Sequence, residues 1–243
     1  MKRKYIIVIF MLILVFSCGK KEKKNNNAKP NARIEQKETD KIKELIEKAK
    51  KGDVEAQTQL GEAYLHGIDT KVDYKKAMEW SKKAAAKKSY RAMTNIGIIY
   101  LEGLGVEKDY KKAFKSLSDG ADGGDMKAPK YLGIIYQNGL GQKKSFDTAA
   151  FYYEIADSSG DMSVRYNLGK IYEMAGNYEK SLEIYKKTEN RMNNVTAPMY
   201  EALGDLYANG KGVKKNLKEA SEWYEKAANS GSQQAKNKLD KLK

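Results

Sequence analysis

The chain of 243 residues carries 46 Lys and Arg against 32 Asp and Glu, and its formal net charge is +14. It contains a single Cys and a single His, which excludes an intramolecular disulfide framework and a zinc site built from several Cys or His ligands. Half of the excess positive charge falls in the first 39 residues. Elsewhere Lys alternates with Glu and Asp as on solvated helix surfaces, so no nucleic-acid partner is expected.

Residues 1–17 have the organisation of a bacterial lipoprotein signal peptide. Basic residues at positions 2–4 precede an apolar run over 5–16, which is shorter than the roughly 20 residues of a membrane span and fits a secretory signal. Residues 15–19, Val-Phe-Ser-Cys-Gly, resemble the lipobox of bacterial lipoproteins, which implies that Cys18 is lipidated. We therefore expect a membrane-anchored lipoprotein of the bacterial cell envelope, on its periplasmic or surface side.

Two segments separate this signal from the main part of the chain. Residues 18–39 are predicted to be the lipidated Cys and a disordered polar tether, because 20–27 holds only Lys, Glu and Asn and offers nothing to bury. Apolar residues at helical spacing follow, at Ile42, Leu45, Ile46 and Ala49. They predict an N-terminal capping helix over 40–52.

A Gly followed three residues later by a Tyr then recurs five times, at intervals of 36, 36, 36 and 35 residues. The pairs are Gly61/Tyr64, Gly97/Tyr100, Gly133/Tyr136, Gly169/Tyr172 and Gly204/Tyr207. A constant period in this range predicts a solenoid of stacked supersecondary units. We assign five units to residues 53–231 and a C-terminal capping helix to residues 232–243.

Each unit has the pattern of two helices joined by a Gly-containing loop. A Gly inside a helix costs about 1 kcal/mol relative to Ala, so its recurrence at one register predicts a close approach of the two helices. Bulky residues of the second helices are predicted to form the core, at Trp80, Leu117, Tyr152, Ile184 with Tyr185, and Trp223. In the first unit, Asp69 and Lys88 stand where most other units have glycines.

The segments Asn95–Ala113 and Glu222–Ala228 resemble the Sel-one-like repeat, a relative of the tetratricopeptide repeat. The resemblance implies an all-α fold, a right-handed α-solenoid of helix-turn-helix repeats in a tetratricopeptide-like superhelix. It also implies a scaffold that binds proteins or peptides. The fourth unit departs from this pattern, because its loop around 174–178 is shorter and has the form of an ordinary tetratricopeptide unit.

An enzyme of the penicillin-interacting or β-lactamase kind is the main alternative, because some proteins with such repeats have been linked to β-lactams. Those relatives are rich in cysteine, whereas Cys18 stands alone here, and the Ser-x-x-Lys match at 17–20 straddles the predicted cleavage site. His66 has no evident partners for catalysis. We expect no catalytic residues, no metal and no cofactor. A peptidoglycan-fragment binder and an immunity or inhibitor protein also remain open.

In tetratricopeptide arrays the first helices line the concave face, and the resemblance places a partner-binding groove there. The predicted groove residues are Ile98, Leu101, Lys130, Ile134, Tyr166 and Lys170. Apolar anchors with flanking cations suit an extended peptide that carries acidic groups or a free carboxylate. The alternative is that Ile98 and Ile134 only pack between adjacent units.

Overall fold

The computed structural model of the protein describes residues 30–158, 160–188 and 195–242, with side chains from residue 40 onward. Within these ranges the chain forms twelve α-helices and no strand. The predicted signal peptide, Cys18 and most of the predicted tether lie outside the described residues. No helix within the described ranges is long and apolar enough to cross a membrane.

The helices form an N-terminal helix, five pairs and a closing helix. Their bounds are α1 Pro30–Lys50, α2 Val54–His66, α3 Tyr74–Ala85, α4 Tyr90–Glu102, α5 Tyr110–Asp122, α6 Ala128–Asn138, α7 Phe146–Asp157, α8 Met162–Met174, α9 Tyr178–Lys186, α10 Ala197–Asn209, α11 Leu217–Asn229 and α12 Gln233–Asp240. We call α2, α4, α6, α8 and α10 the first helices, and α3, α5, α7, α9 and α11 the second helices. The prediction of an all-α repeat solenoid is confirmed.

The local sequence explains where these helices begin and end. All second helices start after an Asp, Ser or Asn whose side chain accepts a hydrogen bond from a backbone N–H of the first turn. Four first helices end at a left-handed Gly. The exception is α8, which ends at Ala175 in right-handed geometry before its shorter loop. The fourth pair therefore differs in the same place where its sequence departs from the repeat.

The repeated Gly of each first helix lies against the second helix of its own pair. A Cβ at Gly61 would lie 2.5 Å from Ser81 Oγ, one at Gly97 2.5 Å from Leu117 Cγ, and one at Gly133 2.6 Å from the Tyr153 ring. The tyrosines Tyr185 and Tyr224 occupy the same place in the last two pairs. The predicted close approach is confirmed, because a Cβ at any of these five positions would lie within 2.6 Å of a side-chain atom of the second helix.

Stacking of the pairs sets the first helices on one side of the solenoid. Each helix packs against the next along the chain, and α2 also contacts α4 directly. Arg91 of α4 reaches Glu55 and Glu62 of α2 at 2.9 and 2.7 Å, and Lys127, just before α6, reaches Glu62 at 3.4 Å. Because one carboxylate of α2 is shared by groups from the next two pairs, successive first helices approach each other on this side, which we call the inner side.

The N-terminal helix extends further than the sequence predicts. Helix α1 begins at Pro30, so the last ten residues of the predicted tether are helical. Pro suits the first position of a helix, and the residues after it include Ala, Arg, Glu, Gln and Lys, which favour helix. Downstream, Ile42 and Ala49 are buried in the core of the first pairs. The capping role of residues 40–52 stays a prediction.

Candidate partner-binding surface

The inner face is the solvent-accessible side of the first helices together with the start of α12. Two hollows formed by described residues lie on it, and α8 contributes residues to both. Asp161 and Val164, at the start of α8, line the first. Tyr166 and Lys170, further along the same helix, line the second. The two hollows are therefore neighbours on one surface.

The central hollow has a volume of about 280 Å³ and an apolar floor. Ile98, Ala156 and Val164 form the buried part of its lining. Met126, Lys127, Lys130, Tyr131, Asp161 and His66 complete it. Met126 is 48% exposed, so its thioether side chain is available to pack on a bound molecule.

An ion pair fixes one edge of the central hollow. Lys130 Nζ lies 2.7 Å from Asp161 Oδ2, and the other carboxylate oxygen accepts the backbone N–H and the hydroxyl of Ser163. Burial alone would raise the pKa of Asp161, but the hydrogen bonds from Lys130 and Ser163 lower that pKa to about 2. Asp161 is thus ionised at neutral pH and joins α6 to the N-terminus of α8.

The C-terminal hollow is larger, at about 620 Å³, and lies between α8, α10 and the start of α12. Tyr166 and Lys170 line it from α8, and Glu201 and Asp205 line it from α10. Lys238 of α12 lies 2.8 Å from Glu201 and 2.7 Å from Asp205. Burial alone would lower the pKa of Lys238, but hydrogen bonds to these two carboxylates raise it.

One polar group in the C-terminal hollow has no hydrogen-bond partner. The Ser230 side chain is 4% exposed, lines the hollow, and leaves its Oγ unpaired among the described residues. The neighbouring Ser232 Oγ donates to Glu201 at 2.8 Å and caps α12. A buried unpaired hydroxyl costs free energy, so a bound amide or carboxylate that pairs with Ser230 would recover it.

The six predicted groove residues do not form one continuous patch. Ile98 and Lys130 line the central hollow, and Tyr166 and Lys170 line the C-terminal one. Leu101 is 3% exposed and lies in the N-terminal core cluster, as does Ile98 at 5%. Both residues therefore offer little surface to a partner.

The other predicted groove residues also have partners within the chain. Ile134 is partly buried against the core around α7 and α8. The rings of Tyr166 and Tyr185 stack with their centroids 6.4 Å apart, and Lys170 pairs with Glu173 at 2.9 Å. Ile98 and Ile134 thus both pack against core residues, and Ile98 is almost fully buried. A binding role for the six stays a prediction.

The structure adds acidic residues that the predicted set lacked. Asp205 follows the repeated Gly as Ile98 and Ile134 do, and Glu201 lies three residues before it, so the repeat register carried a signal for both. Asp161 and Lys238 lie outside that register and are brought in by the stacking of successive helices. His66 is exposed at the edge of the central hollow. Among the described residues, no cluster of His, Cys, Asp and Glu could hold a metal ion.

The family model of the Sel1 repeat matches residues 54–89, 91–118, 130–161 and 197–232, which is more than half of the chain. The chain therefore belongs to the Sel1 repeat family, which is the Sel-one-like family of the sequence resemblance. The region of α8 and α9 is not part of the match. No curated protein sequence matches the chain significantly.

Two solved structures show how this fold recurs. The first is a protective antigen of uropathogenic Escherichia coli strains that displays an SLR fold, with 27% identity over 83% of this chain and a TM-score of 0.72. The match spans 43% of that antigen's chain, less than half of its length. The second is a Sel1 repeat protein from Oxalobacter formigenes, with 23% identity, a TM-score of 0.70 and 87% of each chain covered. The chain thus has the scaffold fold typical of protein–protein interaction.

Proposed function

We propose that the protein is a lipid-anchored scaffold of the bacterial cell envelope that holds a protein or peptide partner on its inner face and performs no catalysis. The observation that carries the proposal is the pair of neighbouring hollows sharing α8. An apolar floor with a charged border is the usual composition of a peptide-binding groove. Membership of the Sel1 repeat family supports a role as an interaction scaffold.

The charges of the two hollows define the partner further. Lys127 and Lys130 border the central hollow, and Glu201 and Asp205 border the C-terminal one. Asp161 also lines the central hollow and Lys170 the C-terminal one, so both hollows carry charged groups of both signs. We therefore expect a partner segment with apolar groups over the floor of the central hollow and polar groups of both signs beside them.

Crosslinking and capture from native membranes tests the inner face. The first variant, Met126→Glu with Lys127→Glu, changes exposed residues of the central hollow, and the second, Tyr166→Ala with Lys170→Glu, changes the C-terminal hollow. Leu217→Glu, at an exposed residue of α11, is the matched control. Ile98→Glu is avoided because it would place a charge in the core.

The expected result is one protein retained by the wild type and the control and lost from both groove variants. Circular dichroism establishes that all variants remain folded. Retention of the same protein by both groove variants would move the interaction away from the inner face. Loss from only one variant would confine the contact to the hollow changed in it.

The lipid anchor is tested independently at Cys18. Mass spectrometry of the protein from membranes is expected to show an acylated Cys18 as the first residue, because the sequence around it resembles a lipobox. Cys18→Ala is expected to leave the signal uncleaved and the lipid absent. An unmodified Cys18 in the wild type would contradict the anchor without affecting the groove.

The absence of catalysis has its own measurement. With purified protein, a chromogenic cephalosporin is expected to be hydrolysed no faster than in buffer alone. The control for any turnover is the His66→Gln variant, which removes the single imidazole and changes an exposed side chain. Turnover by the wild type that this variant lacks would make the protein an enzyme and overturn this part of the proposal.

A further inference from the structure

The second helices share a row of outward-facing positions, and α7 differs from the other four along it. Two and six residues after the small core residue Ala149, α7 carries Phe151 and Ile155. The equivalent pairs of the other second helices have opposite charges: Glu79/Lys83, Lys115/Asp119, Glu183/Lys187 and Glu222/Lys226. Two of these pairs form ion pairs at 3.1 and 3.4 Å. The row is therefore charged and solvated everywhere except on α7.

The two apolar residues of α7 face solvent. Phe151 is 57% exposed and Ile155 is 37% exposed, one helical turn apart on the same side of the helix. The Phe151 ring lies edge-on to the ring of its neighbour Tyr152, with 5.3 Å between the centroids. A large aromatic and a branched aliphatic side chain at positions that the fold otherwise fills with charges indicate a contact surface for another molecule.

The charge around this pair is acidic. Asp147 lies four residues before Phe151 and Glu154 three residues after it, and both are exposed. Helix α7 contains no Lys or Arg, whereas each other second helix contains at least two Lys. Asp147 makes no ion pair with the described residues. We name Asp147, Phe151, Glu154, Ile155 and Ser158 the α7 outer face.

The surroundings limit where a cation can bind. Glu154 accepts a hydrogen bond from the Tyr172 hydroxyl and shares a hollow of about 260 Å³ with Asp157, Glu183, Lys180 and Lys187. Arg165 pairs with Asp157 at 2.8 Å, so charge is balanced on the α9 side. Lys144, before the helix, lies over the Phe146 ring at 4.7 Å. Lys143 and Lys144 precede the helix, but neither pairs with Asp147, so Asp147 is the carboxylate near Phe151 without an ion pair among the described residues.

We propose that the α7 outer face docks a cationic amphipathic helix of a partner protein, separately from the inner face. An apolar stripe of the partner would cover Phe151 and Ile155, and a Lys or Arg beside that stripe would pair with Asp147. A second copy of this chain would bring two lysine-free acidic faces together, and an anionic lipid surface would be repelled. Charge complementarity therefore favours a basic protein segment.

A designed helical peptide with Leu at a spacing of four and flanking Lys is the probe, and the same peptide with Glu in place of Lys is its control. Binding of the labelled peptides to the purified full-length protein is followed by fluorescence anisotropy. The key variant, Phe151→Glu with Ile155→Lys, gives α7 the charge pair that α3 and α11 carry. Asp147→Lys changes the acid alone and leaves the apolar pair intact.

The wild type is expected to bind the Lys peptide about tenfold or more tightly than the Phe151→Glu/Ile155→Lys variant, and more tightly than the Glu peptide. Asp147→Lys is expected to weaken binding of the Lys peptide severalfold and to reduce its dependence on salt. Absence of binding by the wild type, or equal binding by wild type and Asp147→Lys, would overturn the proposal. So would self-association of the wild type that the double variant abolishes, because that result assigns the face to a second copy.

Discussion

The first two helix pairs and the last three fill the space beside the repeated Gly in different ways. In α2–α3 and α4–α5 the Gly faces Ser81 and Leu117, whereas in the later pairs it faces the rings of Tyr153, Tyr185 and Tyr224. The hydroxyls of these tyrosines donate to Gln137, Glu173 and Asp205 at 2.6, 2.7 and 2.8 Å. The position beside the repeated Gly is thus filled by a short or aliphatic side chain in the first two pairs and by a hydrogen-bonded ring in the last three.

This difference ties the core of the later pairs to the inner face. Glu173 accepts a hydrogen bond from the buried Tyr185 hydroxyl and also forms an ion pair with Lys170. In the same way, Asp205 accepts a hydrogen bond from Tyr224 and forms an ion pair with Lys238. Burial, followed by the charge of Glu173, raises the pKa of Tyr185, so its hydroxyl remains a donor at neutral pH. In the first pair, by contrast, the buried Ser81 hydroxyl has no partner among the described residues. The last two pairs therefore position surface charges through tyrosines of the core.

The largest expected effect comes from filling the Gly position. In Gly133→Ala the new methyl would lie 2.6 Å from the fully buried Tyr153 ring, so we expect a loss of about 3 kcal/mol in the free energy of unfolding. In Gly61→Ala the close atom is a Ser81 hydroxyl that can rotate, and Ala favours helix by about 1 kcal/mol, so we expect a change of about 1 kcal/mol or less. Urea denaturation measures both, and equal losses would show that the two regions are packed with the same tightness.

Removing a hydroxyl tests the link between core and surface. Tyr185→Phe deletes the donor to Glu173, and a hydrogen bond to a charged acceptor predicts a loss of about 2 kcal/mol. Ser81→Ala removes a buried hydroxyl without a partner and is expected to be neutral or slightly stabilising. Denaturation of the two variants side by side gives the comparison. A neutral Tyr185→Phe would mean that the ring alone, without its hydrogen bond, stabilises the later pairs.

Most of the fold could be predicted from the sequence because its information is periodic. The interval between glycines predicts the helix pairs, and the Gly itself predicts the close approach now seen at Ser81, Leu117 and the tyrosines. Adjacent aromatics were harder to assign. The sequence placed Tyr152 in the core, whereas Tyr153 is fully buried and Tyr152 only partly so. Positions three and four residues after the small core residue, here Ala149, both fall near the core side of the helix, and only packing distinguishes them.

The surface was less predictable, because its shape depends on how each pair covers the next. Ile98 and Asp205 both follow the repeated Gly, yet Ile98 is covered by the following pairs and Asp205 remains accessible beside α12. A residue such as Lys238, from the closing helix, joins the site through stacking alone. Repeat register therefore predicts which side of a helix a residue occupies, but the local stacking decides whether a partner can reach it.

Acid tests an inner-face ion pair within the later pairs. The pKa of Asp161 is about 2 in the folded protein, below its ordinary value of 3.8, so the ionised carboxylate stabilises the folded state. That contribution is complete above about pH 4 and is lost as the pH falls from about 4 to about 2. Because the side chain is 36% exposed, solvent screening reduces the expected contribution to about 1 kcal/mol.

The measurement is urea denaturation across this pH range for the wild type and for Asp161→Asn, which keeps a capping side chain at the start of α8. The asparagine variant is expected to lose part of the acid dependence seen in the wild type. Lys130→Met removes the ion-pair partner of Asp161 and is expected to reduce the acid dependence partly, since the hydrogen bonds from Ser163 remain. An unchanged acid dependence in Asp161→Asn would assign the effect to other carboxylates.

The smallest expected effect concerns the end of the first pair. Lys88 has a left-handed φ of 65°, where Gly124, Gly160 and Gly231 stand after the second helices of other pairs. A non-Gly residue in this conformation costs about 1–2 kcal/mol. Gly avoids that cost but loses about 0.5–1 kcal/mol more chain entropy on folding. We therefore expect Lys88→Gly to stabilise the protein by about 0.5 kcal/mol. Gly160→Ala, at φ 77° with open space around it, should cost about 1 kcal/mol and isolates the backbone effect. A lower free energy of unfolding in Lys88→Gly would mean that contacts of the lysine side chain stabilise the protein by more than the backbone strain destabilises it. The first pair would then differ from the later ones in its terminal contacts as well as in its core.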